Sequence, residues 1–314
     1  IRLLGPPYFI FTAVLALLLI LGGERVFNAA IHAMSTLATS AISPVSGMNG
    51  AQAGWIGEVL IAAFLLVAVS SKLMTLNLRH GLGAMPKDPE FQLMLIVIVL
   101  VPVLMFLRHW FAALEVNTGQ NVMAGLRAIW GAMFTTLSYL TTTGFESSYW
   151  HEAQSWSGLR APGIVLFGLA AMGGGVATTA GGVKLLRIYS LYRHGLREMD
   201  RLVNPSSVGR SGTSTRRFRR KGAELAWVFL MLFLMAITVV ALLLALLGTP
   251  FENAFALAIA SLTNTGPVYM ALWDPSAHYA GLSDPALTII SIAMVLGRVE
   301  ALAFIALLNP DYWR

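Results

Sequence analysis

The sequence predicts an all-α integral membrane fold built from three helix–short segment–helix repeats. Three observations carry that expectation. The first is composition: the 314 residues are 57% hydrophobic and only 11% charged, with a mean hydropathy of +0.71, whereas soluble domains carry about 25% charged residues. The second is a series of long apolar runs, at 8–21, 57–69, 91–107, 162–171, 225–247 and 287–308. The third is a short motif, Leu-x-x-x-small, that recurs between those runs three times.

A helix needs about 20 residues to span a hydrocarbon core. Two runs reach that length outright, and the others reach it with their flanks. Between the members of each pair lies a shorter, semi-polar, helix-like segment, at 27–39, 126–143 and 251–265, too short to cross. The units are expected at 1–78, 79–195 and 223–314, with a basic linker at 196–222. The chain starts at Ile1 and shows no signal-peptide pattern, which leads to the expectation that an N-terminal part is missing. With no cysteine in the chain, disulfides and thiolate metal sites are excluded.

Orientation follows from the basic residues. The connection 184–221 carries Lys184, Arg187, Arg193, Arg197, Arg201, Arg210, Arg216, Arg217, Arg219, Arg220 and Lys221, and a second basic connection holds Lys72, Arg79 and Lys87. The stretch 248–285 has neither Lys nor Arg. The basic connections are therefore expected on the cytoplasmic side, with the short segments opening outward. The run RRFRRK at 216–221 reads first as this topological signal; a docking surface for a partner or anionic lipid is the sharper alternative. Nucleic-acid binding is not expected so close to a bilayer.

The recurring motif reads LATSAI at 37–42, LTTTGF at 140–145 and LTNTGP at 262–267. Each copy follows a short helical segment and precedes an apolar run. Irregular backbone at membrane depth is tolerated only where protein buries it or it lines a water-filled path. Small residues let several backbones approach one axis, where carbonyl oxygens can replace a cation's hydration shell. The pattern thus reads as a selectivity filter; close helix packing by Thr and Gly is the plainer alternative. A second feature is MGGGVATTAGGVK at 172–184, whose glycines interrupt an apolar run; the alternative there is a glycine-rich helix crossing. A third is Arg298 in an apolar run, about 16 Å along its helix from Leu287 at helical rise. A charge at that depth is costly and usually faces a cavity or a partner, although snorkelling to the headgroups is also open. Enzyme readings fail: the six histidines are scattered, and no HExxH, Gly-x-Ser-x-Gly or paired intramembrane carboxylates occur.

The stretches TTTGF, TNTGP, TTAGGVKLLRIYSLYRHGLREMDRLVNPSSVG and GRVEALAFIALLNPDYWR resemble the TrkH/TrkG/KtrB superfamily of potassium uptake proteins over essentially the whole chain. The resemblance implies four helix–pore loop–helix repeats around one pseudo-symmetric pore, of which this chain holds the second to fourth; the first is expected to be missing. It also implies potassium at a filter framed by Thr39, Ser40, Ala41, Thr142, Thr143, Gly144, Asn264, Thr265 and Gly266, with Ala41 standing where the family usually has glycine. A gate is implied at the 172–184 loop, through Gly173, Gly174, Gly175, Thr178, Thr179, Gly181 and Gly182, with Arg298 facing the pore beside it. Further implications are a homodimer in contact with membrane lipid, a cytoplasmic TrkA-type nucleotide-binding regulatory subunit, no cofactor in this chain, and the bacterial inner membrane as location. Uptake through a channel or by ion-coupled transport is left open. The alternatives are a non-conducting regulatory membrane subunit and a sodium-permeable or poorly selective cation transporter of the same family.

Overall fold

The computed structural model describes residues 5–45, 47–69, 88–113, 122–159, 163–175, 180–204, 213–272 and 279–299. All regular structure among them is helical. In chain order the helices are α1 (Gly5–Leu21), α2 (Val26–Ala38), α3 (Gly54–Val69), α4 (Pro89–Ala113), α5 (Val122–Leu140), α6 (Trp150–Ser157), α7 (Gly163–Met172), α8 (Leu185–Val203), α9 (Thr213–Leu246), α10 (Phe251–Thr263), α11 (Pro267–Leu272) and α12 (Asp284–Val299).

Two described helices are long and apolar enough to cross a bilayer, Pro89–Leu107 within α4 and Gly222–Leu246 within α9. Both turn most of their apolar surface outward: Leu95, Val99, Val103, Trp227, Leu234 and Leu242 are exposed. Soluble monomers rarely expose contiguous apolar patches beyond a few hundred Å², so a helix apolar on all sides and uncovered is one solvated by lipid. Pro102 sits inside α4, where it removes one helical hydrogen bond; membrane helices tolerate such a break.

Polar side chains take the opposite position. Thr36, Thr39, Thr135, Thr142, Thr143, Thr263 and Thr265 are all at most 1% exposed. They belong to α2, α5 and α10 or to the turns that end them, and these three short helices are held inside the longer ones: α1 packs on α2, α4 on α5, and α9 and α12 on α10. Apolar residues outside and hydroxyls inside is the arrangement expected of a protein whose outer solvent is lipid. The basic linker expected at 196–222 is largely helical where described, as the end of α8 and the start of α9. Helix α8 contacts α4 and α9.

Candidate ion-path site

The ends of α2, α5 and α10 are built alike. Thr39, Thr142 and Asn264 all adopt left-handed backbone, with φ of 47°, 57° and 57°. In each turn that residue's N–H bonds three positions back: Thr39 to Thr36 O (3.2 Å), Thr142 to Tyr139 O (3.0 Å), Asn264 to Ser261 O (3.1 Å). The next N–H reaches five back: Ser40 to Ser35 O (3.0 Å), Thr143 to Ser138 O (2.8 Å), Thr265 to Ala260 O (3.0 Å). This is the Schellman helix stop, made three times in the register of the sequence motif. A left-handed residue other than Gly costs about 1–2 kcal/mol; Asn reduces that cost, and the threonines bear it.

The three turns meet. A Cβ placed on Gly144, whose φ is +82°, would lie 3.0 Å from Thr265 Cγ2, 3.2 Å from Pro267 Cδ and 3.3 Å from Ala41 Cβ. The Thr265 hydroxyl also donates to Thr142 O at 3.3 Å. The C-terminal ends of three helices therefore face one small region, and each contributes about half a negative charge there. That favours a cation. No described donor occupies the carbonyl oxygens of Ser40, Ala41, Thr143 or Gly144. Ala41 accepts φ of +51° and turns its methyl toward Gly144.

The third copy of the motif departs from the other two. Beyond Gly266 the chain re-enters a helix at once. Thr265 O accepts from Val268 N (3.1 Å), and Gly266 O accepts from Tyr269 N (3.3 Å) and from the Tyr279 hydroxyl (3.0 Å). Two donors occupy both lone pairs of the Gly266 carbonyl, so this oxygen, one of the expected ion contacts, is spoken for. Burial pushes the Tyr279 hydroxyl pKa up, with Tyr269 beside it acting in the same direction, which keeps the phenol a donor. The Asn264 side chain turns away from the meeting point, donating to Met294 O of α12 at 3.0 Å.

Behind the Gly144 turn stands a wall of polar anchors. Glu58 of α3 is fully buried. Its carboxyl accepts from Trp130 Nε1 (2.9 Å), the Ser147 hydroxyl (2.7 Å) and Ser148 N (2.7 Å). Tyr139 donates to Glu146 at 2.9 Å. His32, also fully buried, meets Ser43 Oγ at 2.9 Å and lies edge-on to Phe145, with ring centres 5.7 Å apart. The sequence did offer a signal for Glu58, a lone carboxyl in an otherwise apolar helix. Tyr279 had none, since only folding brings it onto Gly266.

The two described arms of the glycine-rich stretch, 173–175 and 180–184, lie against each other. Helix α7 stops at Met172, Gly173 and Gly182 take φ of +74° and +78°, and Val183, Lys184 and Leu185 N–H bond back to Ala171, Met172 and Gly174 O. A Cβ on Gly181 would lie 2.4 Å from Thr263 O, and one on Gly173 2.4 Å from Gly181 O. Only glycine permits this approach, which sets the second arm directly against the end of α10. Thr178 and Thr179 lie outside the described residues. One hydrogen bond of Arg298 goes from Nη2 to Ala38 O at 2.7 Å, at the end of α2. Every helix leaves its last carbonyls without internal partners, and a cation is well placed at that negative end. One residue earlier in α12, a Cβ on Gly297 would lie 2.1 Å from Leu262 O, so α12 touches the ends of both α2 and α10.

The family model described as "TrkH: Cation transport protein" matches residues 90–311. The chain belongs to this family. Its TrkH-family relatives include the Trk system potassium uptake protein TrkH of Salmonella typhimurium, 29% identical over 309 residues, covering 98% of this chain and 61% of the relative. The TrkH of Halomonas elongata is 30% identical over 314 residues, covering 98% and 61%. The crystal structure of the potassium transporter TrkH from Vibrio parahaemolyticus superposes with a TM-score of 0.76 at 26% identity, covering 97% of this chain and 63% of that one. This TrkH-family chain thus spans about three-fifths of the length of the relatives it matches. The family is one of membrane transporters, and the outward-facing apolar surface agrees with it.

Proposed function

We propose that this chain carries the ion path of a potassium uptake protein in a bacterial inner membrane. Potassium sheds part of its hydration onto carbonyl oxygens of the α2 and α5 turns, Ser40, Ala41, Thr143 and Gly144. Thr39, Thr142, Asn264, Thr265 and Gly266 hold those turns in register. The stretch Gly173–Gly182, with Thr178 and Thr179, acts as the gate. Arg298, on the α2 end beside it, repels cations while the path is shut. The observation that carries this reading is the apposition of Gly144 to Ala41, Thr265 and Pro267 where three helix C-termini meet. The relatives named as potassium uptake proteins supply the ion. We further propose a homodimer and a cytoplasmic TrkA-type regulatory partner docking on the basic stretch of sequence 187–221.

The Ala41 methyl favours a second reading, a poorly selective cation path, because a side chain at this turn alters where neighbouring carbonyls point. Reconstituting the full-length protein in liposomes and measuring tracer uptake of potassium against sodium separates the readings. Potassium exceeding sodium by tenfold or more supports the first, and near-equal uptake supports the second. Flux no greater than in protein-free vesicles overturns both.

A further inference from the structure

Away from the converging turns, a cavity of about 290 Å³ lies between α8 and the start of the α9 membrane span, walled by Tyr189, Ser190, Arg193, His194, Arg197 and Gly222. Three features define its chemistry. It is cationic: no described carboxylate lies within ion-pair distance of Arg193 or Arg197, and the nearby Glu198 is engaged by Arg201 at 2.8 Å and by His194 at 4.0 Å. It has room: a Cβ on Gly222 would meet nothing closer than Ser190 Oγ at 3.9 Å. It lies at a boundary, since the apolar span of α9 begins at Gly222 and exposes Leu225 and Val228 just beyond.

A ligand that fits all three has a phosphate to set against two guanidinium groups and the hydroxyls of Tyr189 and Ser190, and apolar chains to lay along α9. Arginine forks bind phosphate oxygens in pairs. The helix that carries them is amphipathic, with Tyr192, Met199 and Leu202 exposed on one side, the pattern of a helix lying in a membrane interface. The basic sequence bias places this end of α9 on the cytoplasmic side, where anionic headgroups are available.

We propose that this cavity binds the phosphodiester headgroup of an anionic phospholipid of the phosphatidylglycerol class, with its acyl chains along the exposed face of α9. The site is independent of the proposed ion path.

The test uses the full-length protein purified in detergent, with phosphatidylglycerol, phosphatidylcholine or inorganic phosphate titrated in and bound lipid counted by native mass spectrometry. Phosphatidylglycerol is expected to be retained in preference to phosphatidylcholine. The double variant R193Q/R197Q should weaken that retention about thirty-fold, the worth of two cations beside an anionic headgroup. Gly222→Leu fills the cavity with every charge intact and should cause a comparable loss. Arg127→Gln, whose guanidinium lies over Tyr149, removes one positive charge away from the cavity and should leave retention unchanged. Equal retention of the two lipids overturns the proposal, as does loss in R127Q matching that in the double variant. So does full retention by both R193Q/R197Q and Gly222→Leu, which a folding defect could not produce. Displacement of the lipid by millimolar inorganic phosphate, with no difference made by the acyl chains, would assign the site to free phosphate and overturn the lipid.

Discussion

The α5 and α10 turns start from the same hydrogen-bonded stop and then diverge. After Gly144 the chain runs on as non-helical backbone through Ser147, with the carbonyls of Thr143 and Gly144 free of described donors. After Gly266 it coils into α11, and the carbonyls of Thr265 and Gly266 are taken by Val268, Tyr269 and Tyr279. The following residue decides the difference. Pro267 has its φ preset for a first helical turn and has no N–H to lose there. Phe145 is instead buried against His32, which draws the α5 segment outward along the wall. Two nearly identical motifs therefore have different chemistry: one offers carbonyl oxygens, the other offers packing and a threonine hydroxyl.

The largest expected effect separates the two glycines. Gly144→Ala forces a side chain into left-handed backbone, at about 1–2 kcal/mol, and into contact with three neighbours at 3.0–3.3 Å. Gly266 has no positive φ, and its Cβ would meet only Tyr279 Oη, at 3.9 Å. In full-length protein reconstituted in liposomes, G144A should lower potassium tracer uptake by more than tenfold, whereas G266A should stay within about twofold. Equal losses would erase the asymmetry between the two turns.

A smaller effect is expected behind the α5 segment. Glu58 gathers an indole N–H, a hydroxyl and a backbone N–H, and it ties α3 to the stretch just beyond Gly144. Glu58→Gln replaces one acceptor oxygen with an NH₂ that faces donors. Leaving a buried donor unsatisfied costs about 1–3 kcal/mol. E58Q should therefore lower the thermal unfolding midpoint in detergent and reduce potassium-over-sodium discrimination, with the rate falling less than in G144A. A variant with unaltered discrimination would mean that this wall supports the fold without shaping the turn.

The comparison also marks where the sequence could be read. Helix positions, the short semi-polar segments and the register of the three stops were legible, because they rest on local periodicity and on the spacing of Leu, Thr and Gly. The tertiary partners were not. Arg298 reads in sequence as a costly charge needing acceptors, but nothing local names them, and only packing brings Ala38 O among them. Gly266 reads as the twin of Gly144, yet a tyrosine thirteen residues on, brought back by the fold, takes its carbonyl. Glu58 carried a local signal of cost but none of its partners, which come from two other segments of the chain.

The smallest expected effect belongs to Tyr279. Its hydroxyl is one of two donors on Gly266 O, and the other, Tyr269 N, stays when the hydroxyl is removed. Tyr279→Phe keeps the ring against Tyr269, with centres 5.4 Å apart, so packing is preserved and one neutral hydrogen bond of about 0.5–1.5 kcal/mol is lost. If Gly266 O only holds α11 in place, Y279F should shift the unfolding midpoint slightly and leave the potassium-to-sodium uptake ratio within about twofold. The removal also frees one lone pair of a carbonyl close to the meeting point. A marked change in ion preference with an unchanged midpoint would show that this oxygen can be recruited to the path, and the tyrosine would then be what keeps the α10 turn from behaving like the α5 turn.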